Sequence, residues 1–233
     1  MLYTVDKAVF DLNQDIICGI LIGKNLKISH TTEDDEKRLR DAENKMRENF
    51  KVEQVRELSN VTRYRDIMRK ANINPNKFPP SVEAMFKRIL KGGKLPTINA
   101  LVDLCNAVSI EQIISLGAHD LIDIRDDLEV RFSKEGDIFL PFGASEYEKV
   151  DEGEMVFASG NKVQTRKWIW RQSELGKTTV DSKDIFFQLV GFKGDEESTI
   201  YKAMDDIEKL IIERFEGECK KYIVDIDNNY IEF

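Results

Sequence analysis

The chain has 233 residues, 41% hydrophobic and 33% charged, which places it among soluble globular proteins long enough to bury a substantial core. Its formal charge of −8 supplies no global field for nucleic acid, so any RNA contact has to use local basic patches and is expected to be weak and salt-sensitive. The longest apolar run, Ile16 to Ile22, is too short to span a bilayer and no secretory signal precedes it. The 3 scattered cysteines argue against a disulfide framework, so a cytoplasmic protein with no membrane partner is expected.

Taken in order, Ala8 to Leu12 and Ile16 to Ile22 read as strands, the second with the continuous apolar character of a strand buried on both faces. Residues 33–50 read as a helix capped by Thr31 or Thr32. Leu39, Ala42, Met46 and Phe50 make its narrow apolar stripe, and its mixed charge is a solvated face. Val61, Tyr64, Ile67, Met68 and Ala71 mark another helix, which stops before Pro75 because proline pushes Asn74 out of the α region.

Pro79 and Pro80 precede a helix for which Ser81 is the expected N-cap. Val82, Met85, Phe86, Ile89 and Leu90 share one face, and Gly92-Gly93 supplies the left-handed stop. A short helix follows Pro96, with Ile98, Leu101, Val102 and Cys105 as its apolar stripe. Asn99, Asp103 and Asn106 form a second, polar stripe at i, i+4 and i+7. Two amides and a carboxylate in a row either grip an amine, amide or hydroxyl, or cap neighbouring loops and satisfy buried backbone groups. Ser109 opens S-x-x-Q, a capping-box pattern for one more short helix.

Leu128, Val130 and Phe132 alternate as a strand, and Ile138 to Leu140 form another. Met155 to Trp170 reads as a hairpin joined at Gly160-Asn161, with Arg166, Trp168 and Trp170 on one face of its second strand. That face is either a stacking platform for a base or sheet core with the arginine paired at its edge. Ile185 to Gly191 is a buried strand. Ile200, Met204, Ile207, Ile211 and Phe215 make a long amphipathic helix ending at Gly217, and Tyr222, Val224 and Ile226 a last strand. No repeat, low-complexity tract or linker divides the chain.

Motifs for metal or phosphate chemistry are missing. His30 and His119 are far apart, Gly92-Gly93-Lys94 lacks P-loop spacing, and no G-x-G-x-x-G follows a strand, so no metal site and no cofactor are expected. Cys105 falls on an apolar stripe, where an inert thiol is expected, and His119 beside Asp120 reads as a surface or loop residue.

The run NPNKFPPSVEAMFKRILKGGKLPTINALVDLCNAVS, with SLGAHDL after it and KWIWRQSE further on, resembles the editing module of the phenylalanyl-tRNA synthetase β subunit. More closely, it is similar to the stand-alone, single-domain relatives of that module, and the resemblance covers nearly the whole chain. It implies one compact α+β domain over residues 1–233, of mixed sheets packed with several helices, that binds tRNA ends. In the synthetase such a module hydrolyses tyrosine wrongly attached to phenylalanine tRNA.

Carried over residue by residue, Asn106 matches the asparagine that lines the synthetase pocket, and Cys105 replaces the hydroxyl residue before it. The pocket histidine falls on Gly117 and the selective glutamate near Gln188, so both groups that would mark a tyrosine are changed. The resemblance implies a trans-acting hydrolase that deacylates mischarged aminoacyl-tRNA, with no catalytic side chain assigned. Asn99, Asp103 and Asn106 would hold the aminoacyl group, and Trp168 or Trp170 would stack. Arg166 and Arg171 would hold phosphate or the terminal adenosine, and Arg65 and Lys87 mark two further basic patches for RNA. The alternative is a binding module without catalysis for an amino-acid-like or nucleotide-like small ligand.

Overall fold

The computed structural model describes residues 1–194 and 197–233. In chain order these form β1 (Leu2–Val5), α1 (Lys7–Phe10), β2 (Ile16–Lys24), α2 (Glu33–Asn49), α3 (Ser59–Lys70), α4 (Ser81–Leu90) and α5 (Ala100–Gln112). There follow β3 (Ser115–Asp120), β4 (Leu128–Phe132), β5 (Ile138–Phe139), β6 (Glu148–Lys149), β7 (Met155–Ser159), β8 (Lys162–Arg166) and β9 (Arg171–Gln172). The chain closes with β10 (Ile185–Phe192), α6 (Glu197–Lys209), a π-helical turn Leu210–Arg214, β11 (Glu218–Val224) and β12 (Tyr230–Glu232).

The architecture is α+β, with two sheets among the described residues. The larger runs β12-β1-β4-β7-β8-β5-β6 with β9 on β8; β1 with β4 and β5 with β8 are its parallel pairs. The smaller is antiparallel, in the order β11-β2-β10-β3. Because side chains alternate across a strand, even-numbered residues of β2 and β10 face the larger sheet and odd-numbered ones face the opposite way. Tyr3 and Phe157 of the larger sheet meet Phe186 of β10 at ring-centroid distances of 5.3 and 5.7 Å, which places one core between the sheets. α5 and α6 cover the outer face through Leu101, Leu104, Ile200, Met204 and Ile207. Gly19 allows that approach: a Cβ there would lie 2.6 Å from Met204 Sδ.

Local chemistry explains most helix boundaries. Thr32 caps α2 in a reciprocal capping box with Asp35, and Asp35 also accepts from Arg214 at 2.7 and 2.9 Å, which ties the helix to the end of the π turn. Gly92, at φ 85°, ends α4 as expected.

Several expectations need correction. Ala8 to Leu12 is not a strand: Asp6 accepts from the Ala8 amide and starts α1, and the first strand lies earlier, at Leu2–Val5. Ser81 is the first residue of α4 and makes no side-chain cap. The two short helices expected after Pro96 are the single helix α5, in which Ser109 is interior and donates to Ile114 O at 2.5 Å instead of capping. Ile98 lies before that helix and is 58% exposed. β8 ends at Arg166, so Trp168 and Trp170 are not strand residues, and Ile226 lies beyond β11.

Candidate functional site

A cavity of about 310 Å³ opens where α4, α5, β3, β10 and the turn after β8 converge. Its floor is the inter-sheet face of the smaller sheet. The register pairs Gln188 with Gly117 and Val190 with Ser115, so these residues stand side by side on that face with His119 two residues further along β3. α4 contributes Ser81, Val82 and Met85, and α5 contributes Asn106 and Ser109. Thr165, Trp168, Ile169, Trp170, Arg171 and Gln172 form the opposite wall. None of these described lining residues is a carboxylate, and Arg171 is the one with a permanent charge.

That opposite wall is held in an unusual backbone conformation. Lys167 and Trp168 both take left-handed angles, φ 49° and 66°, which are rare for a bulky residue and need support from surrounding bonds. Glu154 provides it. Its carboxylate accepts from Arg166 at 3.0 and 2.7 Å, from the Lys167 amide at 3.1 Å and from the Lys167 ammonium, while Trp168 N donates to Met155 O at 2.7 Å. Burial works against ionisation of Glu154, but the hydrogen bonds from Arg166 and Lys167 outweigh it and hold the carboxyl below its ordinary range.

The turn separates the two tryptophans. Trp168, 3% exposed, packs edge-on against Tyr64 at 5.9 Å and belongs to the core, with one edge on the cavity. Trp170 sits half-buried at the mouth, against Phe78 at 4.8 Å and under the Arg171 guanidinium at 4.6 Å. The stacking surface is therefore Trp170 with Phe78, flanked by Lys167 and Arg171, and not a pair of tryptophans on one strand face.

Of the residues singled out in the sequence, Asn106, Gly117, Trp168, Trp170, Arg171 and Gln188 meet at this cavity. Asn99 and Asp103 do not line it. Asn99 caps α5, accepting from Val102 N and donating to Thr178 O, and Asp103 accepts from Thr31 Oγ1 at 2.6 Å and Ile98 N at 3.0 Å. Both are buried structural groups. Replacing Asn99 with alanine is expected to cost about 1–2 kcal/mol in urea unfolding and to leave ligand affinity unchanged; a loss of affinity at unchanged stability would return it to the site.

Arg65, Lys87 and Arg166 are also bound internally. Arg65 and Lys87 both pair with Glu83, and Arg166 with Glu154, so their charges are already engaged and offer little to RNA phosphate. Arg171 is exposed and bonds no carboxylate among the described residues.

His119 is not the surface or loop residue that its place beside Asp120 suggests; it is 2% exposed on strand β3 and lines the floor. The i, i+2, i+4 spacing of Ser115, Gly117 and His119 was the available signal, since a strand puts all three on one face. Its ring packs on Phe157 at 5.0 Å, and burial pushes its pKa down to about 4, so it is neutral at pH 7. Cys105 packs in the outer core, where burial pushes its thiol up to about 12, so it forms no pair with His119. No serine–histidine hydrogen bond occurs at the cavity among the described residues.

Comparisons with known proteins bear on this arrangement. No functionally curated protein matches the chain. Among solved structures, an N-terminal fragment of the phenylalanyl-tRNA synthetase beta-subunit from Pyrococcus horikoshii aligns with a TM-score of 0.42 and 11% identity, covering 95% of this chain and 53% of that one. The chain thus spans about half the length of that fragment. A family match, to the B3/4 domain, extends over residues 63–226, which takes in the α4–α5 run, the floor strands β3 and β10 and the wall after β8. The chain belongs to the B3/4 domain family.

Proposed function

We propose that residues 1–233 act as one editing-type unit whose cavity receives the aminoacyl end of a tRNA and promotes hydrolysis of a mischarged ester, in the cytoplasm. One observation carries this reading: Asn106, Gly117 and Gln188, the positions that the synthetase resemblance assigns to a pocket, come together on one cavity floor and wall. Trp170 and Arg171 at its mouth fit a terminal base and a phosphate, through stacking and charge. An aminoacyl ester is already activated, so a held water assisted by the terminal ribose hydroxyl supplies the chemistry without a side-chain nucleophile.

The test is release of amino acid from a panel of mischarged tRNAs at low salt, including tyrosyl-tRNA specific for phenylalanine. Release above the spontaneous rate is expected, falling about tenfold or more in Asn106→Ala. No release, together with no tRNA binding, would overturn the reading. A second reading, a binding module without turnover, is favoured by the absence of any nucleophile–base pair among the described lining residues. It predicts ligand-induced thermal stabilisation and no hydrolysis.

A further inference from the structure

The cavity floor carries a polar atom that bonds no protein group among the described residues, on a side chain that is almost wholly buried. Gln172 Nε2 lies 3.0 Å from Ala118 O, which can only accept, so the amide is oriented with its nitrogen toward β3. The same nitrogen is 3.3 Å from His119 Nδ1 and 3.4 Å from Gly176 O. A proton on Nδ1 would point at that amide nitrogen and not at a carbonyl, so the tautomer that fits this contact leaves Nδ1 bare and carries the single imidazole proton on Nε2. Among the described residues nothing accepts from Nε2–H, although His119 is almost wholly buried. Nε2 faces the cavity and not the packed core, so its partner comes from outside the chain, as water or as an acceptor on a ligand that displaces it.

Gly117 belongs to the same device. A Cβ at position 117 would lie 3.3 Å from His119 Nε2, so any larger residue there would crowd the ring. Glycine instead leaves space directly over the donor. The remaining lining bears on what fills that space: Trp168, Val82 and Met85 give an apolar body its surroundings, and none of the described lining residues is an anion that would neutralise a cation.

We propose that His119, fixed as the Nε2–H tautomer by Gln172 and given room by Gly117, is the specificity-determining donor of this cavity. The group that enters is an apolar or aromatic body ending in an acceptor oxygen, a carboxylate or a carbonyl, and not in an ammonium. This deepens the reading above, because it concerns the same cavity, but its test does not depend on turnover. Arg171 at the mouth reinforces the selection by disfavouring a cation entering past it.

The experiment is nitrogen NMR of the imidazoles at pH 7 in the full chain, which holds only 2 histidines. His119 is expected to show a protonated Nε2 and a bare Nδ1, and Gln172→Leu to lose that single-tautomer signature. Phenylacetate and phenylacetamide are then titrated against phenethylamine. Both oxygen-bearing probes are expected to shift the His119 Nε2–H signal, and the amine to leave it unmoved. His119→Gln, whose amide nitrogen reaches about as far as Nε2, is expected to retain affinity, whereas His119→Asn, which reaches only as far as Nδ1, loses about five- to tenfold. An Nδ1–H tautomer, an imidazolium, or an amine that binds as well as the acid would overturn the proposal. Deacylation of tRNA with the wrong tautomer would sink this inference alone. The expected tautomer and probe order without any deacylation would sink the editing reading alone.

Discussion

Glu83→Ala is expected to destabilise the protein by about 3–5 kcal/mol, because it leaves a buried guanidinium without its counter-charge. Glu83 is fully buried and the Arg65 side chain is only 4% exposed. Arg65 Nη1 donates to both carboxylate oxygens, at 3.1 and 2.8 Å, and its other bonds run to Pro75 O and Asn76 Oδ1. Lys87 adds an i,i+4 bond at 2.5 Å, and Arg56, which is 52% exposed, contributes little. Burial alone would raise the Glu83 pKa, but the bonds from Lys87 and Arg65 outweigh it and hold the carboxyl below its ordinary value. The stabilisation is therefore present above the ordinary carboxylate pKa and is lost as pH falls through the lowered one. Urea unfolding of the variant measures the effect; a loss below about 1 kcal/mol would mean that water or a rearranged Arg65 replaces the pair. Replacing Glu83 and Arg65 together by apolar residues is expected to recover part of the loss, since two desolvated charges are removed at once. Because α4 presents Ser81, Val82 and Met85 to the cavity, the single variant is also expected to weaken ligand binding without touching the ligand.

This pair illustrates where sequence reading reaches and where it stops. The 3.6-residue spacing of Val82, Phe86 and Ile89 and the glycine after them were enough to place α4, and the continuous apolar run from Ile16 was enough to place a strand buried on both faces. The charges of Arg65 and Lys87 were equally visible, and Glu83 with Lys87 has the local i,i+4 spacing of a helical pair, but nothing in the sequence says that the same carboxylate also engages Arg65, 18 residues away. Ion pairing is a tertiary fact. The same holds for the stripe of Asn99, Asp103 and Asn106: helical period puts them on one face, and only the packing of α5 against β3 decides that Asn106 reaches the cavity while Asn99 caps the helix. The turn at Lys167-Trp168 was hidden for another reason. Two consecutive left-handed residues have no sequence signature when neither is glycine or asparagine, and Glu154, which supports them, lies 12 residues before Arg166. Gly117 and Gln188 were identified by resemblance alone; the β3–β10 register then sets them opposite each other.

Between pH 7 and pH 4.5 the protein is expected to lose about 2–3 kcal/mol of stability through His119. Burial lowers its pKa from 6.5 to about 4 in the folded state. Over that interval the unfolded chain takes up a proton that the folded chain refuses, so acid favours unfolding and the stabilisation is fully present only above pH 6.5. Burial is what keeps the ring neutral, and no carboxylate among the described residues bonds it. Gln172 of β9 presents a donor to Nδ1, Phe157 of β7 covers one face, and Arg171 of β9 is a cation at the same cavity. The neighbouring Asp120 carboxylate is engaged elsewhere, by Ser182 Oγ and Ile122 N. Asp35, Glu83 and Glu154 are held below their ordinary values, so their loss belongs to more acid solution, below about pH 4.5. Burial holds the Asp103 carboxyl above its ordinary value, which works in the opposite sense at the acid end, so the comparison with His119→Phe isolates the part of the imidazole. Unfolding midpoints measured at half-unit steps should therefore fall between pH 6.5 and 4.5 in the wild type and stay nearly level in His119→Phe. A level wild-type profile would mean that water reaches the ring and solvates the imidazolium, and with it the argument for a neutral donor on the floor would fail. A sloping profile that His119→Phe abolishes would tie the neutral imidazole to the fold itself, so that the donor facing the cavity stands ready before any ligand arrives.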